Sequence, residues 1–177
     1  MAVAGLEGLV EGCGFYLVFT GIVRQDRVFI RFIRAIEGLG GRLLHVDEEA
    51  RSVRANVPAG KLGLLVELAE VYLVGHSVEV KASCRSSDPV GLLESLKKAG
   101  HKILGSPKGR YTAYGLTPSG RIVEIEVDQE KGRVKLKIGR KLLGKPRSAP
   151  PPGLFVLTLD EAGDALRELA SLVGRRQ

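Results

Sequence analysis

The longest apolar stretch of this chain is Phe15 to Val23, with the sequence FYLVFTGIV. Aromatic and β-branched residues dominate it, and it shows almost no alternation of polar and apolar positions. Such a run predicts a central strand that is buried on both faces. We therefore expect it to be the least exposed segment, with Leu17 and Val18 in the core.

Helical and alternating patterns follow this run through the first half of the chain. Apolar residues recur at helical spacing after Asp26 and again from Lys61 to Val74. Alternating segments at Arg42–Asp47, Ser52–Val57 and Ser77–Cys84 predict strands. The resulting order of strand, helix, strand, strand, helix, strand predicts a ferredoxin-like split βαβ arrangement.

The second half begins with a strong helix start at Ser87–Asp88–Pro89. Strands are predicted at Lys102–Gly105, Arg110–Leu116, Arg121–Asp128, Gly132–Arg140 and Leu154–Leu159. A last helix, capped by Asp160, is predicted to run to Val173. Strand–helix–strand order recurs in both halves, which either a pseudo-duplication or chance explains.

These patterns together predict an α+β protein in four segments. Residues 1–75 form a ferredoxin-like βαββα half, and residues 76–146 form a related antiparallel half with a basic β-meander. Residues 147–153 are a proline-rich connector, and residues 154–177 hold the C-terminal strand and helix.

The charge of the 177 residues is uneven. Lys and Arg number 27 and Asp and Glu 20, a net charge of +7, with the excess mostly between Lys97 and Arg147. Such an excess favours a polyanionic partner. The chain has no Trp, one Met and few amide side chains, which is typical of thermophile proteins and also of a biased genome.

The most cationic run is Lys131 to Arg147, which contains no acid. Its first bases alternate on the strand and are expected to face the acids of the preceding strand, Glu124, Glu126 and Asp128. We therefore expect Arg133, Lys135 and Lys137 to stabilise the hairpin. The bases without an acidic neighbour, which we expect to contact phosphate, are Arg110, Arg140, Lys141, Lys145 and Arg147.

The segment SPKGRYTAYG, residues 106–115, places aromatic residues among bases. Lys108 and Arg110 are expected to take phosphates while Tyr111 and Tyr114 stack on nucleobases. An edge strand with two half-buried tyrosines explains the same residues. We take as the leading hypothesis a non-catalytic nucleic-acid-binding protein that uses a basic β-hairpin surface, with RNA favoured over DNA.

Two helix starts supply an alternative. Arg24 precedes one helix, and Arg85, Ser86 and Ser87 precede another, so either start could bind a small anion in a regulatory module. Simple N-capping explains the same residues. A third hypothesis is an RNA-processing enzyme without a recognisable motif.

The remaining expectations concern chemistry and location. No catalytic motif, cofactor motif or metal-ligand spacing is present, so we predict no catalytic residue, no cofactor and no metal. Cys13 and Cys84 are read as buried thiols, or as a disulfide. No apolar run spans a membrane and no secretory signal is seen, which predicts a cytoplasmic protein. The oligomeric state is left open.

Overall fold

One antiparallel eight-stranded sheet organises the computed structural model, which describes residues 5–105, 109–144, 146 and 148–174. Its order is β2-β3-β1-β4-β8-β7-β6-β5. The strands are β1 Glu11–Val23, β2 Arg42–Asp47, β3 Ser52–Pro58, β4 Leu73–Arg85, β5 Lys102–Gly105, β6 Arg110–Leu116, β7 Arg121–Asp128 and β8 Arg133–Lys141. The sheet crosses both predicted halves, with β4 and β8 adjacent at its middle.

All four α-helices pack on one face of this sheet and share one apolar core with it. They are α1 Phe29–Gly38, α2 Leu62–Tyr72, α3 Pro89–Lys98 and α4 Leu159–Leu172. Short 3-10 helices lie at Asp26–Val28, Ala59–Lys61 and Pro152–Phe155. Thr158, rather than the predicted Asp160, caps α4 in a capping box with Glu161. No α-helix of the described residues lies on the other face of the sheet, which we call the helix-free face.

The first half is ferredoxin-like, as predicted. Its elements run β1, α1, β2, β3, α2, β4, and its strands lie in the order β2-β3-β1-β4. Leu17 and Val18 of β1 are both buried, which confirms that the strand is central. Ile22 differs from the prediction, since it is 42% exposed. It lies on the helix-free face, so the strand is not covered equally on both sides.

The second half repeats the element order of the first for four elements, because β4, α3, β5 and β6 follow the pattern of β1, α1, β2 and β3. The antiparallel α+β class holds throughout, in agreement with a pseudo-duplication at the level of element order. β7 and β8 then insert between β4 and β6, whereas β1 and β3 are adjacent. The predicted boundary at residue 75 falls inside β4, so both halves use this strand. The division into four segments stays a prediction.

The predicted strand at Leu154–Leu159 is wrong. Pro152–Phe155 is a 3-10 helix, and only Leu157 forms a bridge, through two backbone hydrogen bonds to Val78 of 2.8 and 2.9 Å. Successive prolines before it lack the N–H groups that a strand ladder needs. This segment crosses the helix-free face, where Phe155 covers a small second core with Tyr114, Leu116 and Ile122.

A disulfide joins Cys13 of β1 to Cys84 of β4, which decides between the two interpretations that the sequence allowed. Both residues are buried under the helices. Among the described residues, no helix is long and apolar enough to cross a membrane. The cytoplasmic location stays a prediction.

A candidate nucleic-acid interface

The helix-free face of the sheet has a covered part and an open part. Residues 148–158, the segment before α4 that we call the connector from here on, cover β6 and the start of β7 with the small second core. Over β1, β4 and β8 the face is open. Because side chains alternate along each strand, most outward positions of β4 and β8 are polar, whereas those of β1 include Val18 and Ile22. The open part therefore presents the polar side chains of β4 and β8 to solvent.

Five bases on β4 and β8 form what we call the cationic strip. Its members are Lys81, Arg85, Arg133, Lys135 and Lys137. In the register of the two strands Lys81 lies opposite Lys137, and Arg85 lies opposite Arg133. Like charges directly opposite each other on a sheet are destabilising. The strip is thus an arrangement that folding alone does not favour.

The acids of β7 flank the strip as the sequence predicted. Glu124, Glu126 and Asp128 lie opposite Lys137, Lys135 and Arg133. Of these three bases only Lys137 forms an ion pair within the described chain. Its Nζ lies 3.9 Å from Glu124 and 3.7 Å from Glu79, and 5.1 Å from the centre of the Phe155 ring.

The other four members of the strip, namely Lys81, Arg85, Arg133 and Lys135, form no ion pair with any described residue. Burial lowers the pKa of Lys81 below its usual value; Glu79 opposes this effect, while Lys137 and other nearby bases add to it. The protonated ammonium of Lys81 is therefore held in an unfavourable environment. An additional negative charge beside it would counter this effect.

Arg110, Tyr111 and Tyr114 differ from the sequence prediction. Arg110 was expected to lack an acidic partner, but β6 pairs with β7 and brings it 3.5 Å from Asp128. Tyr111 is 1% and Tyr114 7% exposed, and burial raises the pKa of each to about 12. Tyr111 lies in the main core and Tyr114 under the connector. Neither ring is open to a base, which corrects the stacking prediction.

The remaining predicted phosphate contacts do not join the strip. Arg140 and Lys141 lie at the opposite end of β8 from Arg133. The Nε of Arg140 donates to the carbonyl of Val156 at 3.1 Å, on the connector. Lys108, Lys145 and Arg147 lie outside the described residues. The structure therefore brings the predicted bases together only in part.

The residues predicted for the alternative anion site do not lie together in the fold. Arg24 follows the last residue of β1, whereas Arg85 lies opposite Glu11 at the first residue of that strand, so the two arginines are at opposite ends of the sheet. At the start of α3 the Asp88 carboxylate already accepts the Gly91 N–H at 2.9 Å.

The two serines before α3 differ in exposure. Ser86 is buried, and its hydroxyl accepts the Asp88 N–H at 3.3 Å, while Ser87 is exposed. This geometry favours N-capping over anion binding.

Sequence reasoning missed the contribution of β4 to the strip. The signal was present in the alternation of Glu79, Lys81, Ser83 and Arg85 along one face. It became informative only once β8 was known to lie beside β4. Within the described chain, no three His, Cys, Asp or Glu side chains group as metal ligands.

Comparison with known proteins adds a weak likeness. No protein-family model matches the chain, and no curated protein matches it. Among solved structures, it is similar to the regulatory subunit of aspartate kinase from Thermus flavus, at 13% identity over 97% of this chain and 99% of that chain, with a TM-score of 0.28. A likeness at this TM-score carries no argument about function.

Proposed function

We propose that this protein is a non-catalytic nucleic-acid-binding protein, with RNA favoured over DNA, and that its cationic strip holds the phosphates. The observation that carries the proposal is the pairing of like charges in the strip. Lys81 faces Lys137 and Arg85 faces Arg133. Four of the five bases form no ion pair with a described residue, although Glu126, Asp128 and Glu11 lie opposite Lys135, Arg133 and Arg85 on the neighbouring strands. Neutralisation by phosphate removes this repulsion and releases counterions.

The spacing of the strip supports a repeating anion rather than a single one. Outward side chains on one strand recur about every 6.6 Å, because each residue advances about 3.3 Å. Arg133, Lys135 and Lys137 therefore form an even row along β8. Ser83 adds a hydroxyl opposite Lys135. A chain of phosphates can contact several of these groups at once.

The small-anion alternative receives less support. Its best candidate, the start of α3, is already satisfied by Asp88. No comparable pairing of like charges lies there among the described residues. We therefore retain the nucleic-acid proposal as the one that the geometry supports best.

The test is a salt series of affinities for a single-stranded RNA oligomer. The variant Arg85→Ala, Arg133→Ala, Lys135→Ala should flatten the plot of log affinity against log salt by about 2 units, since each lost phosphate contact removes about 0.7. The control Arg140→Ala, Lys141→Ala removes two exposed bases at the other end of β8. It should leave the slope nearly unchanged. A salt-independent affinity, or equal slopes for both variants, would contradict the proposal.

A further inference from the structure

An open groove lies beside the cationic strip, at the edge of the helix-free face. Its volume is about 430 Å³, within the range of small-molecule sites. It opens between β1, β2, β3 and the end of β4. The side chains and backbone that line it include Gly14, Tyr16, Arg42, Asn56, Pro58 and Ser83.

Polar groups without partners converge on this groove. Arg42, Asn56, Ser83 and the hydroxyl of Tyr16 form no hydrogen bond or ion pair with any described residue. Together they offer a guanidinium fork, an amide with both donor and acceptor, and two hydroxyls. Such a set matches the mixed donors and acceptors on the edges of a nucleobase.

Tyr16 supplies an aromatic surface in the groove. It is half-buried on β1, opposite Pro58 on one side and Lys81 on the other. Gly14, the next outward residue on β1, leaves space beside the ring, because a Cβ built there meets no atom within 4 Å. A planar base has room to lie against the exposed part of this ring.

The groove and the strip are continuous. Lys81 lies opposite Tyr16 on one side and Lys137 on the other. Ser83 lies opposite both Gly14 and Lys135. Neighbouring strands are about 4.8 Å apart, so a base in the groove and its phosphate on the strip are within the reach of one nucleotide.

We infer that this groove binds an unpaired base of a single-stranded RNA, stacked on Tyr16 and contacted along its edge by Arg42 and Asn56. The inference rests on the proposed function and adds to it. It specifies a single strand, because a base within a duplex cannot leave its stack to enter the groove without unpairing. Base stacking on an aromatic side chain is tolerant of sequence.

The first experiment uses Tyr16→Trp, since the natural chain has no Trp and the indole would be its only one. An oligouridine should quench the indole fluorescence on binding. An abasic oligomer of the same length and charge should bind to the strip without this quenching. Equal quenching by both polymers, or by neither while both bind, overturns the inference.

The second experiment compares affinities. Tyr16→Leu should weaken oligouridine binding by about tenfold, and Tyr16→Phe should retain most of it, because the ring remains. Gly14→Val should also weaken it, since the added side chain fills the space beside the ring, while thermal stability stays close to the natural value. None of these changes should alter binding of the abasic oligomer.

The outcomes separate the two proposals. If oligouridine and the abasic oligomer bind equally and Tyr16→Leu changes neither, the groove inference fails and the strip remains. If neither polymer binds at low salt, both proposals fail. If Gly14→Val weakens the binding of oligouridine and of the abasic oligomer equally, this also counts against the groove, because the change would then act on the strip or on the fold.

Discussion

Two cationic regions of the same sheet differ in how their charges are paired: Arg121 on β7, and the cationic strip on β4 and β8. The guanidinium of Arg121 is buried, with its side chain 8% exposed, and its Nε donates to Glu168 of α4 at 2.7 Å. It also donates to the carbonyl of Gly139 at 3.1 Å. The hydroxyls of Thr117 and Ser119 donate to the same carboxylate. In the cationic strip, Arg133 is exposed and forms no ion pair with a described residue.

The difference indicates which charges serve the fold. Arg121 ties the sheet to α4 and has all its partners within the chain. The strip has its bases on the open face, with like charges opposite each other and with acids on β7, at Glu79 of β4 and at Glu11 of β1 around them. A base that is exposed and repelled by its neighbours contributes little to stability and is available for an external anion. Four changes test this distinction.

The largest expected effect is that of Arg121→Ala. Removing one partner of a buried ion pair leaves the Glu168 carboxylate without its main donor, so the free energy of unfolding should fall by about 3 kcal/mol. Arg133→Ala is the matched control on the neighbouring strand and should change stability by less than about 0.5 kcal/mol. Urea denaturation of both variants measures the difference. Equal losses would show that the two regions are not distinct.

The second change tests the cover over the second core. Gly139→Ala would place a Cβ against the carbonyl of Leu154 and the side chain of Ile122, so the connector would have to move. We expect a loss of about 2 kcal/mol from this overpacking. Gly14→Ala, on the open part of the same face, meets no atom within 4 Å and should be nearly neutral. A neutral Gly139→Ala would indicate that the connector does not pack there.

A third test compares two lysines within the strip. Lys137→Met removes an ion pair with Glu79, another with Glu124 and the contact with the Phe155 ring, and should cost about 1 kcal/mol. Lys135→Met removes no ion pair with a described residue and should leave stability unchanged. For RNA affinity we expect the larger loss from Lys135→Met. Thermal melts and a series of RNA-binding measurements test both variants. A larger loss of stability from Lys135→Met, or a larger loss of affinity from Lys137→Met, would contradict this expectation.

The smallest effect at neutral pH is expected for Tyr114→Phe. The pKa of Tyr114 is raised from 10.0 to about 12 by burial and by Glu124, so the neutral phenol is favoured in the folded state. The stability that the neutral Tyr114 phenol contributes is fully present below pH 10 and is lost as the pH rises toward 12. Tyr114→Phe should therefore reduce the alkaline loss of stability. Ionisation of Tyr114 near pH 10, seen by near-ultraviolet absorbance, would mean that the ring is exposed.

Much of the fold could be predicted because the bounds of each strand and helix depend on residues that are close together in the sequence. The bounds of β5, β6 and β7 agree with the alternation and turns of the sequence. The opposition of Glu124 to Lys137 followed from the period of two and the short turn. The ferredoxin-like first half followed from the order of its elements.

The candidate site could not be predicted in the same way, because it depends on which strands are neighbours. Nothing near Lys81 in sequence indicates that Lys137 lies opposite it across the β4–β8 pairing. Tyr111 and Tyr114 were expected outside, yet each lies under a cover that comes from a distant segment. The segment Leu154–Leu159 was wrongly predicted as a strand for the same reason, since its contacts are made across the sheet.

The most direct test of the central claim is a lysine footprint with single-stranded RNA. Acetylation of each lysine would be quantified by mass spectrometry with and without the RNA, at low salt. We predict protection of Lys81 and Lys135, and no protection of Lys141, which like Lys135 is exposed on β8 but lies beyond the strip. Protection of Lys141 with Lys81 and Lys135 unprotected would contradict the assignment of phosphate binding to the strip.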